Sequence, residues 1–371
     1  MPRVLYVASD LGSSGPAKLI SLLAPALPRP QFEAAVVDLS GGASATMVHT
    51  LREAGVPCYD AALRGVTDLR GLRNLRRVVK AFAPDVIHVG GPKAAYAMGL
   101  LWTASLWSRF PPIVASGLDA PTQRLHDIVA RLVAPVAAEA MRCLNNGVPV
   151  ELLKIIDPAV AAGGPTPDGA AFRASLGILP SARLVIAAGR FDTVAGLKSA
   201  VWAFDVVKYV APDLHLVLVG DGPERDRLER FAKALGFDDY RVHFVGVRDD
   251  VPALLSLAEL VWVTHDRGGV NVALEAMAAG KLVVAFGNAD PAVSDLAEIL
   301  VEGVTGRFVP YGDRVRLAAI SNELLEAPEV ARALGEAGRR RAVEHFGVPA
   351  MAARYAALYN GLVRTPSLPA G

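Results

Sequence analysis

Short β-rich runs alternate with longer helical stretches along the whole chain, and this alternation constrains the fold more than any other feature of the sequence. In the first half the strand candidates are Val4 to Ala8, Ala34 to Leu39, Asp85 to Val89 and Pro112 to Ser116, each followed by a stretch of helical spacing. The runs are continuously apolar, which predicts parallel sheets covered by helices on both faces. The second half restarts the pattern with Arg183 to Ala188, Leu214 to Val219, Val242 to Val245, Leu260 to Thr264 and Leu282 to Phe286. With 371 residues the chain exceeds one ordinary open α/β sheet, so the restart predicts a second domain.

Between the halves, Ala161 to Gly169 is the densest Gly/Pro stretch, and a linker is expected there. The expected division is residues 1–165, residues 170–345 and a helical segment 346–364. In that last segment Met351, Tyr355, Leu358 and Leu362 recur at helical spacing and ask for a partner surface, so it is expected to cross back onto the first domain. Doubly wound, Rossmann-like domains bind ligands at the carboxyl ends of their strands, and a cleft between two facing domains is the expected site. Neither Gly12-Ser-Ser-Gly15 nor Gly220-Asp-Gly222 completes the dinucleotide fingerprint GxGxxG, which counts against a dehydrogenase.

The 38 basic and 37 acidic residues leave a net charge of +1, so no nucleic-acid partner is expected and any charge-driven site must be local. Cys58 and Cys143 show neither CxxC nor CxxH spacing, which argues against a disulfide framework or a structural zinc site and fits a reduced cytoplasmic setting. The first apolar run reaches Asp10 within a few residues, unlike a signal peptide. The most apolar window, Ala94 to Trp107, falls short of the roughly 20 residues a spanning helix needs.

Two glycine turns stand out. Gly268 and Gly269 follow a strand and precede Asn271, a good helix N-cap, with Gly280 at the expected stop. Gly12 and Gly15 sit in the same relation to the first strand and the helix after it. Backbone N–H groups and the positive end of a helix dipole suit a diphosphate, although glycines at such places also serve plain tight turns.

From Arg183 to about Tyr359 the sequence resembles the retaining glycosyltransferase family 4, a group 1 glycosyltransferase family of GT-B fold. Five stretches carry the resemblance in order: Gly189-Arg190-Phe191, Leu216 to Pro223 followed by Arg225 and Leu228, Val242 to Gly246, Gly268 to Gly280, and Gly303 to Gly306. The first half matches more loosely, through Gly12 to Leu27 and Pro84 to His88. The resemblance implies hexosyl transfer from a nucleoside diphosphate sugar to a glycan or lipid-linked acceptor, in polysaccharide or glycoconjugate synthesis. It implies further that Arg190 clamps the donor diphosphate and stabilises its growing charge, and that Glu275 holds the ribose hydroxyls. Val247, Gly269, Val270 and Asn271 complete the donor side, with Gly12 and Gly15 on the other half. No cofactor is expected beyond the donor itself, and no metal, since no Asp-x-Asp stands at a strand end.

Three positions depart from the family pattern. Ala195 stands before Gly196 where the family has Lys; Lys198 is the nearest cation that could replace it, displaced along the chain. Arg267 stands eight positions before Glu275, where the family has a Glu that contacts the transferred sugar. A cation there either binds a charged donor sugar or takes over the missing diphosphate contact, while the adjacent Asp266 points the opposite way along an extended segment. Gly90 replaces a His, and Asp119 is the nearest candidate to act in its place. These departures keep a second reading open, a catalytically degenerate relative acting as a nucleotide-binding or scaffold protein.

One local feature bears on the acceptor. From Asp68 to Lys80 a helix with Leu69, Leu72, Leu75 and Val79 on one stripe would turn Arg70, Arg73, Arg76, Arg77 and Lys80 outward. Such a face suits the anionic inner surface of a membrane, and equally a solvated helix.

Overall fold

The computed structural model describes residues 1–12, 14–65, 68–103, 110–118, 128–162, 167–237 and 241–364. The chain divides into two compact units, one of Met1–Ala159 together with the C-terminal segment from Val348, the other Val160–Gly347.

The first unit holds a seven-stranded parallel sheet of β1 (Arg3–Ala8), β2 (Glu33–Asp38), β3 (Cys58–Asp60), β4 (Val86–Gly90), β5 (Ile113–Ser116), β6 (Val129–Ala134) and β7 (Leu153–Ile155). The order is β3-β2-β1-β4-β5-β6-β7, so the winding reverses between β1 and β4. Both faces of β1 and β4 are buried, which is why their sequences are unbroken apolar runs. Strands β3, β6 and β7 escape a reading by apolar pattern. The outer pair are three residues each and mostly exposed, and Arg131 interrupts β6.

The terminal helix Val348–Arg364 packs on this unit. It buries Met351, Tyr355 and Tyr359 among Tyr6, Ile20 and Leu23, with Leu358 and Leu362 half-buried at the margin. At the centre His88, on β4, is fully buried. Its Nδ1 lies 2.6 Å from the Tyr359 hydroxyl and its Nε2 2.9 Å from Ser116 Oγ, and the rings of Tyr6 and Tyr355 flank it. Burial pushes its pKa down to about 3, so the imidazole is a neutral, doubly bonded bolt between sheet and helix.

Helix Leu69–Phe82 begins at Asp68, whose carboxylate accepts the N–H groups of Arg70 and Gly71. Its inward face is Gly71, Leu75, Val79 and Phe82, with Leu72 half-buried. The expected stripe is corrected at Leu69, which is 66 % exposed because the first residue after the cap faces outward. Arg70, Arg73, Arg76, Arg77 and Lys80 are all exposed. Among the described residues no helix is long and apolar enough to cross a membrane.

The second unit holds a six-stranded parallel sheet of β8 (Arg183–Ala188), β9 (Leu214–Val219), β10 (Val242–Phe244), β11 (Leu260–Val263), β12 (Leu282–Phe286) and β13 (Arg307–Val309), ordered β10-β9-β8-β11-β12-β13. Its winding reverses between β8 and β11, two neighbours whose carboxyl ends carry the loops described next. The middle of the expected linker, residues 163–166, lies outside the described residues.

Candidate functional site

A reversal of winding leaves the loops from two adjacent strands diverging to opposite faces of the sheet, and open α/β sheets bind ligands in the gap between them. In the second unit those loops are 189–196, between β8 and the helix Leu197–Val207, and 264–269, between β11 and the helix Val270–Ala278. They are tied together. Buried Thr264 donates its hydroxyl to the Ala195 carbonyl at 2.9 Å, and the Asp266 N–H donates to the Val194 carbonyl at 2.8 Å. Gly196 caps the helix Leu197–Val207 at φ +63°, where a Cβ would stand 2.1 Å from the Thr264 carbonyl oxygen. Gly196→Ala is therefore expected to destabilise the second unit by about 2 kcal/mol in urea denaturation, through overpacking and left-handed strain. A wild-type midpoint would show that the loops are not locked together here.

Asp192 organises the first loop. Its Oδ1 accepts the N–H groups of Val194 and Ala195, while Oδ2 lies 3.7 Å from Arg190 Nε. The Arg190 side chain is 74 % exposed, so this ion pair is weak and leaves the guanidinium able to meet an anion. Ala195 points inward and belongs to the core of the unit. Lys198 is exposed and places Nζ over the Phe231 ring, 4.7 Å from its centroid.

The second loop ends in two left-handed glycines, Gly268 at φ +79° and Gly269 at φ +77°. Gly269, not Asn271, is the N-cap of the helix Val270–Ala278, and it has no side-chain cap. Asn271 falls in the first turn instead, because a Cβ at position 269 would come 2.6 Å from Val263 Cγ1 and only glycine fits the corner. An uncapped first turn keeps its N–H groups available to an outside acceptor. Buried Asp295, from the loop after β12, fixes the approach by accepting the Gly268 N–H at 2.5 Å.

Glu275 lies one turn into this helix and is 7 % exposed. Arg267 and Asp266 are exposed, and Arg267 makes no hydrogen bond or ion pair among the described residues. Val270 is buried at the start of the helix, and Val247 is exposed just past β10. Gly12 and Gly15 lie in the first unit. There the Gly12 N–H donates to Asp10 Oδ1 at 3.0 Å, and Ser14 caps the helix Gly15–Ala26 by accepting the Ala17 N–H. Asp119 lies outside the described residues. The structure thus gathers Arg190, Arg267 and Gly269 on two tied loops, with Val270 and Asn271 in the helical turn that follows the second. It adds Asp192, Thr264, His265 and Asp295, which no local motif marks because their partners are distant in sequence or are backbone groups.

Residues 169–341 match the sequence model of the glycosyl transferases group 1 family. The lipopolysaccharide core biosynthesis glycosyltransferase LpsD of Rhizobium meliloti is 27 % identical over 319 residues, covering 83 % of this chain and 85 % of that protein. These matches support a GT-B glycosyltransferase. The N-acetyl-alpha-D-glucosaminyl L-malate synthase of Bacillus anthracis is 31 % identical over 189 residues, 51 % of this chain; the match spans about half of that relative, 48 %. Among solved structures, Anabaena Alr3699/HepE in complex with UDP and glucose superposes with a TM-score of 0.80 over 97 % of this chain and 100 % of its own, at 21 % identity. WaaG, a glycosyltransferase involved in lipopolysaccharide biosynthesis, gives 0.69 over 96 % and 100 % at 16 % identity. At such identities the superpositions speak for the fold, which is the two-domain α/β GT-B fold.

Proposed function

We propose that this GT-B glycosyltransferase is a family 4 enzyme that moves a hexosyl group from a nucleoside diphosphate sugar to a glycan or lipid-linked acceptor, with retention and without a metal ion. The observation that carries the reading is the pair of tied loops, one bearing the exposed Arg190 and the other leading into the uncapped N-terminus of the helix Val270–Ala278. Both ends of that arrangement favour an anion. The HepE structures, which hold UDP with glucose and UDP-glucose, point to the same donor class.

In this reading the diphosphate lies against Arg190 and the helix N-terminus, Glu275 takes the ribose hydroxyls, and Val247 and Asn271 line the nucleotide. The bond between the anomeric carbon and the phosphate oxygen breaks, and the acceptor oxygen bonds to that carbon on the same face. The acceptor proton passes to the departing diphosphate, so no separate base is needed. Arg190 and the helix amides stabilise the charge that builds on the leaving group, which is the role a metal plays elsewhere. The test is incubation with a panel of nucleotide sugars, following release of nucleoside diphosphate. Release from none of them, with UDP, GDP or ADP still bound in calorimetry, would favour the second reading, a nucleotide-binding relative without transfer, whose support is Ala195 in the core and Arg267 in place of a carboxylate.

Arg267, exposed and without a protein partner among the described residues, is read as the contact for a negatively charged donor sugar. Arg267→Glu is expected to weaken a charged donor by about 2 kcal/mol and to improve neutral ones. Equal turnover of one neutral donor by both proteins would remove Arg267 from the sugar site.

The basic face of the helix Leu69–Phe82 is proposed to rest on an anionic membrane that presents the acceptor. Arg73→Glu together with Arg77→Glu is expected to lower binding to phosphatidylserine vesicles at least tenfold, at about 1 kcal/mol per cation removed from the surface. Unchanged co-sedimentation would leave this helix as a solvated face.

A further inference from the structure

His265 follows Thr264 at the carboxyl end of β11, and no motif reading accounts for it. Its ring is wedged between the two anion-facing features of the second unit. A Cβ at Gly189, next to Arg190, would stand 2.8 Å from the ring Nε2 and 3.3 Å from Ala195 Cβ. A Cβ at Gly269, the helix cap, would stand 3.1 Å from Nδ1. The ring thus fills the corner that the small residues 189, 195 and 269 leave open.

The two nitrogens differ. Nδ1 is sealed from solvent and has no hydrogen-bond partner among the described residues. A proton there would be a buried donor without an acceptor, which costs about 1–3 kcal/mol. It would also face the positive end of the helix Val270–Ala278. Both effects move the single proton of the neutral ring to Nε2, the nitrogen packed against Gly189, the residue before Arg190. Burial pushes the His265 pKa down to about 4, against a pull from Asp192 in the other direction. The other charged groups of the same loops are Arg190 on the first, Asp266 and Arg267 on the one that carries His265, and Asp295, which holds the Gly268 N–H.

We propose that His265 is a donor-binding residue that presents a neutral Nε2–H to the diphosphate of the bound nucleotide, beside Arg190. The inference rests on the donor site proposed above. It gives the core-facing Ala195 a physical complement: the imidazole supplies a hydrogen bond without adding a second cation to the clamp. A neutral donor also holds its proton across the whole neutral range, so its contribution to binding does not titrate.

The experiment has two arms. In nitrogen-15 spectra of the histidine-labelled full chain, assigned by subtraction of His265→Gln, His265 is expected as the Nε2–H tautomer at pH 6.5, with the Nε2–H resonance moving on addition of UDP. An Nδ1–H tautomer, an imidazolium, or no response to bound UDP overturns the proposal. In calorimetry at pH 7.5, His265→Phe, which keeps the ring and removes the donor, is expected to weaken UDP about tenfold, and His265→Gln, which keeps an N–H, about threefold or less. Equal affinity of wild type and His265→Phe overturns the role of His265 while leaving the donor site standing. Absence of UDP binding by wild type, with GDP and ADP also unbound, overturns the donor site and this inference with it. If His265→Phe does not fold, the wild-type spectra, assigned through His265→Gln, decide.

Discussion

Arg190→Ala is expected to lower the rate of sugar transfer about a hundredfold, the size of effect seen when one preorganised donor to a developing negative charge is removed. The fold should be unaffected, since the side chain is 74 % exposed and its one ion-pair contact is 3.7 Å long. The loss belongs in kcat more than in KM, because the charge on the leaving diphosphate grows as the glycosidic bond breaks. Initial rates with one accepted nucleotide sugar, at saturating donor, read this directly. An unchanged kcat would place the phosphate clamp elsewhere and would remove the main support for the tied loops as the reacting end of the site.

Acid should loosen the first unit through His88. Its folded pKa is pushed down to about 3 from an ordinary value of 6.5, by burial. Above pH 6.5 the ring is neutral in both states and the His88 bonds to Tyr359 and Ser116 contribute in full. As pH falls from 6.5 toward 3, the unfolded chain takes up a proton that the folded one refuses, so stability is lost over that window. At pH 4.5 the expected loss is about 3 kcal/mol, two pH units at roughly 1.4 kcal/mol each. His265 acts in the same direction from the second unit, so the reading is a difference between proteins. Denaturant unfolding of wild type and His88→Gln at pH 7.5 and pH 4.5 should show the variant less stable at the higher pH and less sensitive to the drop. A parallel fall in both would mean that His88 does not carry the acid response.

Much of the architecture was legible because parallel strands buried on both faces must be continuously apolar. The runs around β1, β2, β4 and β5, and those around β8, β9, β11 and β12, leave their mark in the sequence without reference to neighbours. Of the missed strands, β3, β7 and β13 are short edge pieces held by pairing to one neighbour, and β6 is interrupted by Arg131. Leu69 looked like part of an apolar stripe, and only its place just after the Asp68 cap turned it outward. Asn271 looked like a cap by residue type, and the corner between Val263 and His265 gave that place to Gly269.

The α/β class, the restart of the winding in the second half and the local chemistry of Gly268 to Glu275 depend on residue type and near-neighbour spacing, and so can be read from the chain alone. Which groups share one site depends instead on how the strands pair. Thr264 meets the Ala195 carbonyl, Asp295 holds the Gly268 N–H and His265 closes on Gly189 because β8, β11 and β12 are neighbours in the sheet while lying far apart along the chain. Packing also turns Ala195 into the core and Lys198 to Phe231, since the direction of a side chain is set by its backbone and by the surface that its element must bury.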